Sequence, residues 1–255
     1  MRIQGLMVPL LAGVCGALAA GGSLAGEAIE VVKAEGAVEV RQQERRATEA
    51  VRSKSVLPEK NVLTTGPNGR AVVKVGETGF IVVEKNSTVE INKSGGAGIF
   101  RHVTGIVYYM MNKVRGGKPP VEVRAAAATI GVRGTRFLVA DTADRKEIGM
   151  RKGLISVTSP GEEYEIHRQA EQDEFAAFKK EAADAIKEEK RQFSEYKKNE
   201  EREFIEYKRE FTLGANRMAS FDGKRVTERA LSAESKEEME SLEDYAAEWI
   251  KEVQD

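Results

Sequence analysis

Gly66-Pro67-Asn68-Gly69-Arg70-Ala71-Val72-Val73-Lys74-Val75 decides how this chain of 255 residues is read. Pro67 presets φ for a turn and Gly69 tolerates a positive φ, so the chain reverses here. Behind the turn, residues 71–75 fit a strand with one face buried and one wet, as does Thr88-Val89-Glu90-Ile91. Working outward, short β-type runs recur at Ile29 to Lys33, Ala37 to Val40, Phe80 to Val83, Gly105 to Tyr109, Val121 to Arg124, Phe137 to Ala140 and Leu154 to Val157. Nothing between Ala28 and Pro160 reads as a ten-residue amphipathic helix. The expected fold is therefore a mainly β domain over 28–160, short-stranded and solenoid- or sandwich-like.

Near Glu162 the composition changes. Between Glu171 and Glu210 stand 23 charged residues in 40, 13 acidic and 10 basic, without Gly or Pro. Such a run is a disordered polyampholyte or a solvated helix, and the aromatic spacing decides. An eleven-residue repeat aligns Phe175 with Ile186 and Lys197, Ala182 with Phe193 and Phe204, and Ala185 with Tyr196 and Tyr207. Eleven residues make about three helical turns, which keeps an apolar stripe on one face. The spacing predicts a long charged α-helical tail over 163–212 with Phe193, Tyr196, Phe204 and Tyr207 in its seam, available for self-association. A loop over 213–226 and a last helix over 227–254 follow, with Met239, Leu242, Ala246, Trp249 and Val253 on one face. That face is free to meet the long helix, the β domain or another copy.

Residues 1–25 read as a cleaved signal peptide: Arg2 is basic, Leu6 to Ala20 is apolar, and Ser23-Leu24-Ala25 is a small-x-small exit. Export to the periplasm or cell envelope is the expected destination, with membrane anchoring if the segment is retained. Cys15, the single cysteine, lies inside that segment, so the remainder has no thiol for disulfides, Cys-ligated zinc or thiol catalysis. With 40 Lys plus Arg against 41 Asp plus Glu, the net charge of -1 gives no reason to expect nucleic acid as a partner.

Leu57 to Ala71, with its Thr65-Gly66 turn and Asn68-Gly69-Arg70-Ala71 segment, resembles the FecR domain. Further pieces follow in the family's order: Asn86-Ser87-Thr88 between two strands, Gly105-Ile106-Val107, and Ala128-Thr129-Ile130-Gly131-Val132-Arg133-Gly134-Thr135-Arg136-Phe137. The last resembles the family's Val-Arg-Gly-Thr-x-Phe signature and is followed by Gly153-Leu154-Ile155-Ser156-Val157. The resemblance covers roughly 30–160 and implies an extracytoplasmic β domain used in sensing and protein contact rather than catalysis. In signalling members this domain follows an anti-sigma segment and a membrane span. The layout expected here differs, with no room for a sigma-factor-binding part ahead of the signal segment and charged helix in place of a receptor-contacting domain.

Arg133, Gly134, Thr135 and Phe137 are the candidate ligand site or structural signature. A glycine-flanked Arg133 could hold a carboxylate or glycan through forked hydrogen bonds. Equally, Gly131 and Gly134 would form a tight crossing between strands, with Thr135 satisfying backbone groups. Tyr108 and Tyr109 are core residues or a contact surface at the domain's edge. His102 and His167, the two histidines, read as surface or turn residues, and no metal-ligand spacing, nucleophile elbow, phosphate loop or dinucleotide fingerprint occurs. The expectation is a non-enzymatic envelope module, without cofactor or metal, that binds an envelope protein or a cell-wall component. The alternative expectation is a part of a transmembrane, sigma-regulator-like signalling system.

Overall fold

The computed structural model describes residues 28–42, 47–58, 60–94, 97–113, 121–168 and 204–253. Their strands, in chain order, are β1 (Ile29–Glu35), β2 (Val38–Gln42), β3 (Thr48–Ala50), β4 (Ser55–Leu57), β5 (Lys60–Thr65), β6 (Arg70–Val75), β7 (Gly79–Val83), β8 (Thr88–Ser94) and β9 (Ala97–Met111). Then come β10 (Val121–Arg124), β11 (Thr129–Val132), β12 (Arg136–Asp141), β13 (Lys146–Lys152), β14 (Leu154–Thr158) and β15 (Tyr164–Arg168). The last are β16 (Phe204–Lys208), β17 (Glu210–Gly214), β18 (Arg217–Asp222) and β19 (Arg225–Ala230), followed by α1 (Ala233–Tyr245) and α2 (Ala247–Ile250).

The strands pair into two layers that share β9. Sheet I runs β4-β1-β6-β7-β9-β12-β13-β18-β19-β15-β16. Sheet II runs β3-β2-β5-β8-β9-β10-β11-β14-β17. The chain crosses repeatedly between the layers, as from β1 to β2 and from β11 to β12, while other neighbours such as β6 and β7 pair side by side. β9 changes layer itself: its first half pairs with β10 in sheet II and residues 105–110 pair with β12 in sheet I. A register shift opposite Thr88 and Val89 leaves Val103 as a bulge, which bends the strand. Gly105 follows at φ +93°, and a Cβ there would stand 2.4 Å from the Cα of Ser87, so the bend needs glycine.

Two apolar layers result. Between the sheets lie Val31, Leu63, Val73, Ile81, Ile91, Phe100, Tyr109, Phe137, Ile155, Ile166 and Phe221. Outside sheet I, Val72, Phe80, Val82, Tyr108, Met110, Leu138 and Ala140 pack with Leu231, Met239, Leu242, Ala246 and Val253 from the C-terminal segment. The middle of sheet I is thus buried on both faces, and β7 has no exposed residue. Ser232 caps α1, its hydroxyl accepting from the Ser235 amide at 3.1 Å. The face carrying Met239, Leu242, Ala246, Trp249 and Val253 meets the β layers.

The structure corrects the tail. A single helix over 163–212 is excluded: β15 stands at one end, β16 and β17 at the other, and Arg168 lies opposite Phe204 in an antiparallel pair. The intervening part of that expected helix, with Phe193 and Tyr196, falls outside the described residues. The expected loop over 213–226 is strand for most of its length, and the expected helix over 227–254 begins at Ala233 and breaks at Ala246. Residues 204–230 supply four strands because Phe211, Leu213, Ala219, Phe221 and Val226 close the inter-sheet core. That burial outweighs the weak side-chain pairs of an isolated charged helix. The signal-peptide reading of 1–25 also lies outside the described residues, among which no helix is long and apolar enough to cross a membrane.

Candidate contact surface

The stretch 128–137 is a corner between layers. β11 belongs to sheet II and β12 to sheet I, so Arg133, Gly134 and Thr135 carry the chain from one to the other. Gly134 has φ +87°, and a Cβ on it would lie 2.8 Å from the Cα of Lys113 and 3.0 Å from its amide nitrogen. Only a residue without a side chain fits. Thr135 is buried and its carbonyl accepts from the Met111 amide at 2.9 Å. Its hydroxyl has no hydrogen-bond partner among the described residues, so the expectation that Thr135's side chain satisfies backbone groups fails. Phe137 stacks on Tyr109 with ring centroids 4.9 Å apart and planes 11° from parallel.

Arg133 is the member of this group that reaches solvent. It makes no hydrogen bond or ion pair to the described residues. The neighbouring face of sheet II is polar. Glu122, Gly131, Ser156 and Thr212 lie opposite one another across β10, β11, β14 and β17, and Arg124, Thr129, Thr158 and Glu210 form the next row. Gly131 leaves room for Ser156, whose hydroxyl would be 2.6 Å from a Cβ at position 131.

Tyr108 and Tyr109 form no contact surface, because both are fully buried. They point to opposite faces of sheet I, as successive strand residues must. Tyr109 enters the inter-sheet core, edge-on to Phe100 at 5.7 Å. Tyr108 lies under α1 and donates to Glu243 at 2.6 Å. Burial, reinforced for Tyr108 by Glu243, pushes both phenols well above their usual range. Of the expected seam, Tyr207 stands exposed on β16, and Phe204 opens that strand.

The histidines are also corrected, since both are buried. His102 places Nε2 3.1 Å from the Gly105 carbonyl and Nδ1 3.4 Å from the Tyr109 hydroxyl. A carbonyl can only accept, so Nε2 carries the proton and Nδ1 accepts. Burial lowers the pKa of this ring, partly offset by its bond to Gly105 and by Asp141, and the neutral form suits both partners. No group of three or more His, Cys, Asp or Glu is placed to hold a metal ion among the described residues.

The sequence reading did not identify the charged rim between the C-terminal helices and sheet I. Arg145 forks onto Glu238 at 3.1 and 3.0 Å, Arg151 reaches Glu240 at 2.8 Å, and Lys74 reaches Glu252 at 2.6 Å. Arg136 and Arg151 approach Glu243 at 3.6 and 3.9 Å. Lys33 and Arg70 lie over the Tyr245 ring at 3.8 and 4.3 Å, and burial pushes that phenol up to about 12. The acids sit on α1 or just past α2, and the bases on sheet I or in the turn before β13, a complementarity invisible while the tail is read apart from the domain.

A two-layer β body with glycine corners, polar and open on one face and helix-covered on the other, is the class of protein these observations define. Residues 61–156 match the family described as FecR protein. Among curated proteins nothing matches. Two solved structures of a candidate anti-sigma factor from Parabacteroides distasonis ATCC 8503 are similar at 11% identity, with TM-scores of 0.43 and 0.44. The alignments cover 68% of this chain and 61% of the solved ones, so the chain spans about three-fifths of their length.

Proposed function

We propose that this protein is a non-catalytic module of the bacterial cell envelope, exported through its N-terminal segment, whose FecR domain binds an envelope protein or a cell-wall component. The match over 61–156 carries this reading, since the resemblance implies extracytoplasmic sensing and contact. The exposed Arg133, held at a glycine corner beside the polar face of sheet II, supports it as a binding group for carboxylates, which peptidoglycan and protein surfaces both offer. Neither cofactor nor metal enters this function.

A second reading shares the same support. As part of a sigma-regulator-like signalling system, the module would relay a signal across the membrane, by its own retained N-terminal segment or through a separate membrane partner. Intact-mass measurement tests the first form of this signalling: loss of about 25 residues removes the anchor it requires.

Co-sedimentation with isolated envelopes and with purified peptidoglycan tests the binding itself. The full chain is expected to pellet with one of them, and Arg133→Glu to pellet several-fold less. A full chain that stays in the supernatant with both contradicts the proposal.

A further inference from the structure

We propose that copies of this protein associate end to end, with strand β16 of one copy pairing antiparallel with β4 of the next. This goes beyond the envelope function and does not depend on it. Among the described residues each sheet ends in a strand paired on one side only: β4 and β16 in sheet I, β3 and β17 in sheet II. An open edge offers a row of unpaired amides and carbonyls to any strand that can reach it.

The strand directions make the two ends complementary. Followed through sheet I, the pairings set β16 running the same way as β1, whereas β4 runs against β1. In sheet II, β17 runs with β2 and β3 runs against it. A second copy shifted along the sheets therefore brings β4 antiparallel to β16, and the same movement brings β3 antiparallel to β17. Both layers continue without a break.

Among the described residues, three of the five large exposed apolar side chains fall where such a joint needs them, the other two being Val103 and Leu154. Val56 on β4 is 68% exposed, and Ile205 and Tyr207 on β16 are 48% and 64% exposed. Val56 lies opposite Glu30, out of phase with the core residues Ile29 and Val31. Tyr207 and Ile205 lie opposite Glu165 and His167, out of phase with the core residues Tyr164 and Ile166. All three thus occupy the outer face of sheet I, at its two ends. Setting Val56 opposite Ile205 places Ser55 opposite Glu206 and Lys54 opposite Tyr207, so no like charges face each other. Apolar cross-strand contacts of this kind stabilise a joined sheet. With β3 and β4 only three residues long, the joint is short and association follows concentration.

Light scattering of the full chain across a wide concentration range tests this, with Val56→Lys and Tyr207→Lys as end-blocking variants. Both positions are exposed, so unchanged circular dichroism and Tm show that the variants fold. The wild-type average mass should at least double from the 28.0 kDa monomer as concentration rises. Each variant alone should remain monomeric, because each has lost one end. Their equimolar mixture should form a dimer, because each keeps the end the other lacks. A wild type that stays monomeric, a single variant that still associates, or a mixture that does not would each overturn the proposal.

Discussion

The Tyr108 hydroxyl donates to the Glu243 carboxylate at 2.6 Å across 135 residues of chain. One partner sits in the second half of β9 within the family-matched stretch and the other on α1, so the C-terminal helix packs on the same body as that stretch. Leu242, buried one position away, tests the contact: Leu242→Ala should cost about 2–5 kcal/mol of stability by urea unfolding. Tyr108→Phe, which leaves Glu243 beside Arg136 and Arg151, should cost less, on the order of 1.5 kcal/mol.

Gly134→Ala should destabilise by roughly 2 kcal/mol or more, because φ +87° strains any side chain and the new Cβ meets the Lys113 backbone at 2.8 Å. Gly161→Ala is the matched control, with nothing within 4 Å of its Cβ and no left-handed φ, and should change stability by less than about 0.5 kcal/mol. Equal Tm losses for the two would contradict the corner's role.

Arg133→Glu separates surface from scaffold at the same corner. Its side chain is exposed, so Tm should stay unchanged while envelope co-sedimentation falls. A Tm loss like that of Gly134→Ala would show that Arg133 supports the fold instead.

His102 should give stability a pH dependence. Its folded pKa lies below the unfolded value near 6.5, so the unfolded chain binds the extra proton first. The contribution is complete above about pH 6.5 and is lost as pH falls through the folded value. Glu206, whose pKa is lowered chiefly by its hydrogen bond to Lys208 and next by Arg168, contributes above the ordinary carboxylate range and loses its share at lower pH. In urea titrations from pH 8 to pH 4.5, His102→Gln should flatten the slope below pH 6.5. An unaltered slope would place the titrating group elsewhere.

The strand behind Gly66 was legible from its turn signal, but the wet face expected of residues 71–75 is not there, because Val72 is buried beneath the C-terminal segment and only Lys74 reaches partway to solvent. Tyr108 and Tyr109 were not, since a strand covered on both sides loses the alternation that tells core from surface. In the tail, the eleven-residue spacing of Phe193, Tyr196, Phe204 and Tyr207 drew attention from a second period. Phe211 and Leu213 alternate, and Asp222-Gly223, with Gly223 at φ +57°, joins β18 to β19 as a tight hairpin turn. That dipeptide was the signal available for a strand reading of 204–230. The rim of helix acids on sheet bases could not be read from sequence, because its pairs span 89 to 178 residues.

Native-state hydrogen exchange on the full chain tests most directly whether the segment beyond the family match belongs to the same β body as residues 61–156. β18 lies inside sheet I between β13 and β19, so the amides of Met218 to Phe221 should be as protected as those of Ile148 to Met150 and should open with them. Exchange of β18 and α1 far faster than β13, with β13 protection unaffected, would contradict the account and return 204–253 to the status of an appended tail.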